Sequence, residues 1–278
     1  MDPRVITERP VVRVTVGAPR EHLQDNLAGE EPLEIRIDGR SFAVTMRTPG
    51  ADFDLGAGFL VSEGVITHAD ELVDVRYCDD LGAVGAARDN IVDLTLRNDV
   101  APPDESVARA FFTTSSCGLC GKASIDAVRT RSAFEVRDDP LRVTPDWLAT
   151  LPGRLQDAQD VFEQTGGLHG AALFDGPTGE LLVVREDVGR HNAVDKVIGW
   201  ALQERRLPLR GVILLVSGRA SFELVQKALM ASIPMLCAVS APSSLAADLA
   251  EESGITLVGF LRDPSLVVYT GEERLLPY

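Results

Sequence analysis

Cysteine and lysine are both scarce in this chain of 278 residues, with four of the first and three of the second. The cysteines, Cys78, Cys117, Cys120 and Cys237, are too sparse for the disulfide framework of a small secreted domain. Apolar runs such as Val212–Val216 stop far short of the roughly 18 residues that a membrane span needs. The opening segment, MDPRVITERPVVRVTV, has acids and prolines but no apolar stretch before a small-residue cleavage site, so it does not read as a secretory signal. There is no internal repeat and no low-complexity segment. These absences lead to the expectation of a soluble cytoplasmic protein whose thiols are normally reduced.

What is present is an ordinary globular mixture, 45% hydrophobic and 25% charged residues, long enough for one large domain or two modest ones. The formal charge is −15 and the pI near 4.7. So acidic a surface repels phosphate backbones, which argues against non-specific binding to nucleic acid or anionic membranes. An anionic ligand must then be held by a local cluster of basic groups. Arginine supplies 24 of the 27 basic residues. The three lysines, Lys122, Lys196 and Lys227, all fall in segments of interest below. A coding bias explains most of that, yet lysine is a compact charge that arginine does not imitate.

Along the chain, residues 11–16 read as a strand and 33–46 as a hairpin, with Asp38-Gly39 supplying the positive-φ turn. DFDLGAGFLV (52–61) reads as a short helix, and strands are expected at 71–77 and 91–97. The stretch 111–130 runs from a polar loop into a helix starting near Lys122. RDDPLRVTP (137–145) reads as a linker, and Pro145 opens a helix of about twenty residues that ends at Gly166-Gly167. A regular series follows: a hairpin (169–175 and 180–187), helix 191–203, strand 211–218, helix 221–231, strand 234–239, helix Ser243–Glu252, and strands 255–261 and 266–270. Continuous apolar strands between helices of about ten residues argue for an α/β layered sheet. The expected division is a β-rich domain over 1–136 and an α/β domain over 137–278.

Cys117-Gly-Leu-Cys120-Gly is the sharpest chemical feature. Two thiols three positions apart, just before a helix, lie near the N–H groups of its first turn, and Lys122 adds a cation; both favour thiolate. A structural zinc site needs further paired ligands, and neither the isolated Cys78 and Cys237 nor the scattered histidines offer them. A thioredoxin-like redox pair needs a core strand directly before the motif, which ESVARAFFTTSS does not resemble. A persulfide carrier needs one accessible nucleophilic sulfur. The CxxC pair by itself leaves carrier and redox pair both open. Cys78 and Cys237, at the end of or within apolar strands, read as small buried hydrophobes.

REDVGRHNAVDKVIG (185–199) places Arg185, Asp187, Arg190, His191, Asn192, Asp195 and Lys196 at a strand-to-helix junction. Such junctions are where layered α/β folds bind ligands, and seven polar groups exceed what capping requires. SGRASFE (217–223) presents Ser217 and Arg219 at a second junction, and AVSAPSSLA (238–246) presents Ser240, Ser243 and Ser244 at a third. On successive units of one sheet edge they would form a single rim, with Arg262 of GFLRDPS added. Hydroxyls, backbone N–H groups and arginines are the chemistry for phosphate or pyrophosphate.

Taken together, TTSSCGLCGKAS, REDVGRHNAVDKVIG, SGRASFELVQKA, SAPSSLA and GITLVGFLRD, in that order over 113–263, resemble the formate dehydrogenase accessory sulfurtransferase family, with a looser fit through DFDLGAGFLVSEG. The resemblance implies a cytoplasmic, typically homodimeric sulfur carrier. Its partners would be a cysteine desulfurase, which donates sulfane sulfur as a persulfide, and formate dehydrogenase, whose bis-guanine-dinucleotide molybdenum cofactor accepts it. The persulfide cysteine maps onto Cys117, with Cys120 also implicated. The cofactor-binding stretch maps onto Phe260, Leu261, Arg262, Asp263, Pro264 and Ser265. His191, Asp187, Lys196, Arg219 and Ser240 complete the expected contacts. The second half is expected to be cytidine-deaminase-like, without the deaminase zinc signature of H-x-E and P-C-x-x-C, which is absent. Two rivals remain open: a CxxC dithiol oxidoreductase, and a guanine-nucleotide-binding chaperone with incidental cysteines.

Overall fold

The computed structural model describes residues 4–78, 89–101 and 132–277. The chain opens on a two-stranded antiparallel arm, β1 (Ile6–Arg13) and β2 (Glu21–Ala28), most of whose residues are exposed. The first strand therefore lies a few residues ahead of the expected 11–16, and β2 was not anticipated. EHLQDNLA is polar apart from Leu23, Leu27 and Ala28, and a ribbon standing mostly in solvent needs no continuous apolar face to register it.

A four-stranded sheet follows, in the order β4-β3-β6-β5, built from β3 (Glu31–Ile37), β4 (Arg40–Arg47), β5 (Leu72–Tyr77) and β6 (Ile91–Leu96). Asp38 and Gly39 make the tight turn with φ of 49° and 76°, the two left-handed residues that a type I′ hairpin requires. The Asp93 carboxylate accepts the Gly39 N–H, and the Asp38 carboxylate accepts that of Leu96. Helix α1 (Asp52–Ser62) buries Leu55, Leu60 and Val61 in the same core as Leu33, Ile35 and Leu94.

The second half forms a six-stranded mixed sheet, β12-β11-β10-β9-β7-β8. Its strands are β7 (His169–Asp175), β8 (Leu181–Asp187), β9 (Val212–Val216), β10 (Met235–Ala238), β11 (Thr256–Arg262) and β12 (Ser265–Thr270). The strands β9, β10 and β11 run parallel, which requires helices on the faces between them. Alternation along each strand sends side chains to two cores. Val212, Leu214 and Val216 join one cluster with helices α4 (Arg190–Gln203), α5 (Phe222–Met230) and α6 (Ser244–Ser253). Ile213 and Leu215 join the other with α2 (Pro145–Gln156).

The single helix expected from Pro145 to Gly166 is two. Helix α2 closes at Asp157, and α3 (Asp160–Thr165) starts afresh where the Glu186 carboxylate accepts the N–H groups of Val161 and Phe162. A strand residue from outside the segment caps the second helix, which local spacing does not reveal. The stretch 137–144 buries Leu141 and Val143, and Val143 pairs with Leu275.

Helices α1 and α4 pack along their lengths, joining the two sheets through one hydrophobic cluster. Gly58 and Gly199 make that approach possible. A Cβ on Gly58 would collide with the Asp195 carbonyl, and one on Gly199 with that of Asp54.

Candidate functional site

Strand direction places four junctions along one edge of the six-stranded sheet: the end of β8 with the start of α4, the end of β9 with α5, the end of β10 with α6, and the β11–β12 turn. Backbone contacts make the edge continuous. Gly170 donates to the Ser217 hydroxyl and Ser217 N–H donates back to Gly170. Ser240 N–H donates to Gly218 at 3.4 Å, Ser243 to Ala220 at 3.0 Å and Phe260 to Ser240 at 3.2 Å. His169, at the start of β7, faces Asp187 in register and stands against Gly218. The edge thus unites the three polar motifs and the β11–β12 turn.

The residues expected to meet a ligand occupy two kinds of place. Arg219, Arg262, Asp263, Pro264 and Ser265 are exposed; Ser240 and Phe260 are half-buried. Phe260 takes a left-handed φ of 49°, and the Arg262 guanidinium lies over its ring at 5.8 Å. Leu261 is fully buried in the core under α2. Asp187 and Lys196 are also buried and bind each other at 2.7 Å. Asp187 accepts from the N–H groups of Thr48 (3.2 Å) and Gly189 (2.8 Å) and from Asn192 Nδ2 (3.1 Å). Lys196 Nζ donates to the carbonyls of Thr48 and Glu186. A buried pair so fully satisfied holds geometry rather than a ligand.

What it holds is the first turn of α4. Asn192 also donates to the Met46 carbonyl at 2.7 Å and accepts from the Thr45 hydroxyl, while Val188 N–H donates to Thr48 Oγ1. The end of β4 is therefore fastened to the helix start that carries Arg190 and His191. Arg185 turns away to Asp54, and Asp195 lies in the helix seam with Lys227 at 2.8 Å. Burial pushes the carboxyls of Asp54 and Asp195 above the ordinary aspartate value despite those cations.

The helices differ in their starts. Helices α2 and α6 are capped by the side chains of Thr144 and Ser243. Helices α4 and α5, whose starts lie on this edge at Gly189 and Ser221, have no side-chain cap. Their N-termini carry partial positive charge, and Arg190, Arg219 and Arg262 add full charges. Burial and the Arg190 charge hold the His169 imidazole below its ordinary pKa. His191 Nε2 lies 3.3 Å from Ser221 Oγ and 3.9 Å from Glu223 Oε2. In an otherwise acidic chain, this edge concentrates cationic and N–H groups suited to an anion.

The pair Cys117 and Cys120, with Lys122, lies outside the described residues. Cys237 is buried and its thiol is pushed up by desolvation, which suits a packing role; Cys78 is half-buried at the end of β5. Sequence reading passed over His169, Ser221, Glu223, Thr45 of β4 and Thr48 just beyond it. Ser221 reads as an ordinary capping serine, and nothing in local spacing links β4 or His169 to α4.

A profile of the FdhD/NarQ family matches residues 28–276. The chain is 58% identical over 273 residues to the sulfur carrier protein FdhD of Streptomyces avermitilis, covering 98% of this chain and 96% of that one. It is 55% identical to the protein of the same name from Mycolicibacterium paratuberculosis, over 98% and 99% of the two chains. It is 44% identical to that of Sulfurisphaera tokodaii, over 91% and 92%. Among solved structures, a chain from Desulfotalea psychrophila described as a formate dehydrogenase accessory protein superposes with a TM-score of 0.75 at 25% identity, covering 98% of this chain and all of that one. The chain belongs to the FdhD/NarQ family.

Proposed function

We propose that the protein is a sulfur carrier serving formate dehydrogenase. In this reading the Cys117 thiolate attacks the terminal sulfur of a persulfide on a cysteine desulfurase. A new S–S bond forms at Cys117 and the desulfurase leaves as its own thiolate. The optimum nucleophile has a pKa near ambient pH, a condition that Lys122 and a helix start would favour. Cys120 assists release or protects the loaded sulfur. The Cys120 thiolate then attacks Cys117 Sγ, closing a Cys117–Cys120 disulfide and releasing the outer sulfur at the sulfide level to the bis-guanine-dinucleotide molybdenum cofactor, which is the substrate acceptor and not a resident group. Its phosphates would meet Arg219, Arg262, the Ser240 junction and the uncapped starts of α4 and α5, with His191 beside them. Asp187 and Lys196 serve as framework behind these contacts.

The observation that carries this reading is the single continuous edge on which four junctions, three arginines and two uncapped helices converge in a chain that also contains CGLC. It is joined by close similarity, over nearly the whole chain, to proteins named sulfur carriers. The same reading makes the six-stranded sheet a deaminase-like layer, divided from the β-rich part near residue 136, in a cytoplasmic homodimer. Incubation with a desulfurase and cysteine, followed by intact-mass measurement, tests it. The wild type gains one sulfur atom and the Cys117→Ala, Cys120→Ala double variant gains none. An unloaded wild type, or an equally loaded double variant, overturns it.

No described helix is long and apolar enough to cross a membrane.

A further inference from the structure

Ser221 occupies the N-cap of α5, where a serine hydroxyl ordinarily accepts from the N–H two or three residues on. It makes no such bond. It lies 3.3 Å from His191 Nε2, on the neighbouring helix start. Glu223, in the first turn of α5, brings a carboxylate oxygen to 3.9 Å from the same nitrogen. The imidazole is 11% and the carboxylate 19% exposed, so bulk water screens the pair less than a surface pair. A histidine at the start of a helix is ill placed to carry positive charge, because the helix dipole and Arg190 both oppose it. A carboxylate aimed at it opposes that penalty.

We propose that Glu223 is a positioning residue that acts through His191. Its charge keeps the imidazole cationic at neutral pH, and Ser221 fixes the ring, so that the edge presents a histidinium to an anionic phosphate. This rests on the reading of the edge as a phosphate-binding site. Glu223 brings its carboxylate to the ring, Arg190 precedes it on α4, and the nearest further charges along these elements are Lys227, one turn beyond Glu223 on α5, and Asp187 at the end of β8. Lys227 is committed to Asp195, and Asp187 to Lys196. Among the described residues, Glu223 is thus the carboxylate within 4 Å of the His191 ring.

The chain has four histidines, so their ring resonances are few, and His191→Asn assigns one of them in labelled protein. Proton exchange moves no heavy atom: Nε2 gains or loses one proton to solvent. In Glu223→Gln the titration midpoint of His191 falls by roughly one pH unit, and Glu223→Asp restores part of the shift. Ser221→Ala broadens the ring signal while Ser221→Thr, which keeps the hydroxyl, does not. With GDP as probe, Glu223→Gln binds as the wild type does at pH 6 and roughly tenfold more weakly at pH 8. A purely structural role would change affinity equally at both pH values. An unmoved midpoint in a folded Glu223→Gln protein overturns the proposal. That outcome leaves sulfur loading on Cys117 standing, whereas failure of the wild type to bind GDP at either pH removes the phosphate site itself.

Discussion

Helix α4 takes part in two buried lysine–aspartate pairs, and they serve different ends. Lys196 binds Asp187 at the junction edge of the six-stranded sheet, where the backbone N–H and carbonyl of Thr48, just past β4, and the Glu186 carbonyl of β8 complete the network. Lys227 binds Asp195 in the seam between α1, α4 and α5, helped by the Ser62 hydroxyl and lying over the Phe59 ring at 5.7 Å. The first pair fixes the helix start that presents Arg190 and His191. The second lies away from that edge and joins helices. Polar residues within one short motif, 185–199, thus divide into framework, seam and edge-facing groups. Burial and partners, rather than residue type, decide which is which.

Breaking either buried pair gives the largest effect. Lys196→Met leaves Asp187 charged and buried without its cation, and urea unfolding is expected to show a loss of about 3–5 kcal/mol. In the seam, Lys227→Met costs a comparable amount, but adding Asp195→Leu recovers most of it, because the apolar pair has no charge to desolvate. The same recovery in a Lys196→Met, Asp187→Leu protein would erase the distinction, since that network also satisfies the backbone of Thr48 and Glu186. Next comes the seam's steric limit. Gly199→Ala forces α1 and α4 apart and is expected near the upper end of about 1–3 kcal/mol, read from thermal unfolding.

Smaller effects sharpen the contrast between helix starts. Ser243→Ala removes a working cap and costs about 1 kcal/mol. Ser221→Ala, whose hydroxyl caps nothing, costs about 0.5 kcal/mol or less in the same denaturation assay. The smallest effect is electrostatic. Burial raises the Asp54 carboxyl, so the folded state holds its proton to higher pH than the unfolded chain does. Stability from this group is greatest below its ordinary value of 3.8 and declines as pH rises through the raised value. The stability–pH curve of Asp54→Asn lacks that decline.

Much of the second half was legible because its strands are short apolar runs between helices and alternate between two cores, as Val212 to Val216 do. The Asp38-Gly39 turn was legible because it needs two left-handed residues. The β2 strand and the break between α2 and α3 were not: one is mostly polar and exposed, and the other depends on Glu186, distant in sequence. At the site, the junction motifs could be read from hydroxyls and arginines at strand ends. That Asp187 and Lys196 face inward could not, because their partner Thr48 lies some 140 residues away in the chain.

The central claim is that this one edge of the six-stranded sheet grips an anionic nucleotide. Calorimetric titration with GDP tests it most directly, comparing wild type, the Arg219→Glu, Arg262→Glu variant and the Cys117→Ala, Cys120→Ala variant. The account predicts saturable binding by the wild type and the cysteine variant, weakened at least about tenfold by the arginine substitutions. Undiminished binding by the arginine variant, or no binding by the folded wild type, would contradict it.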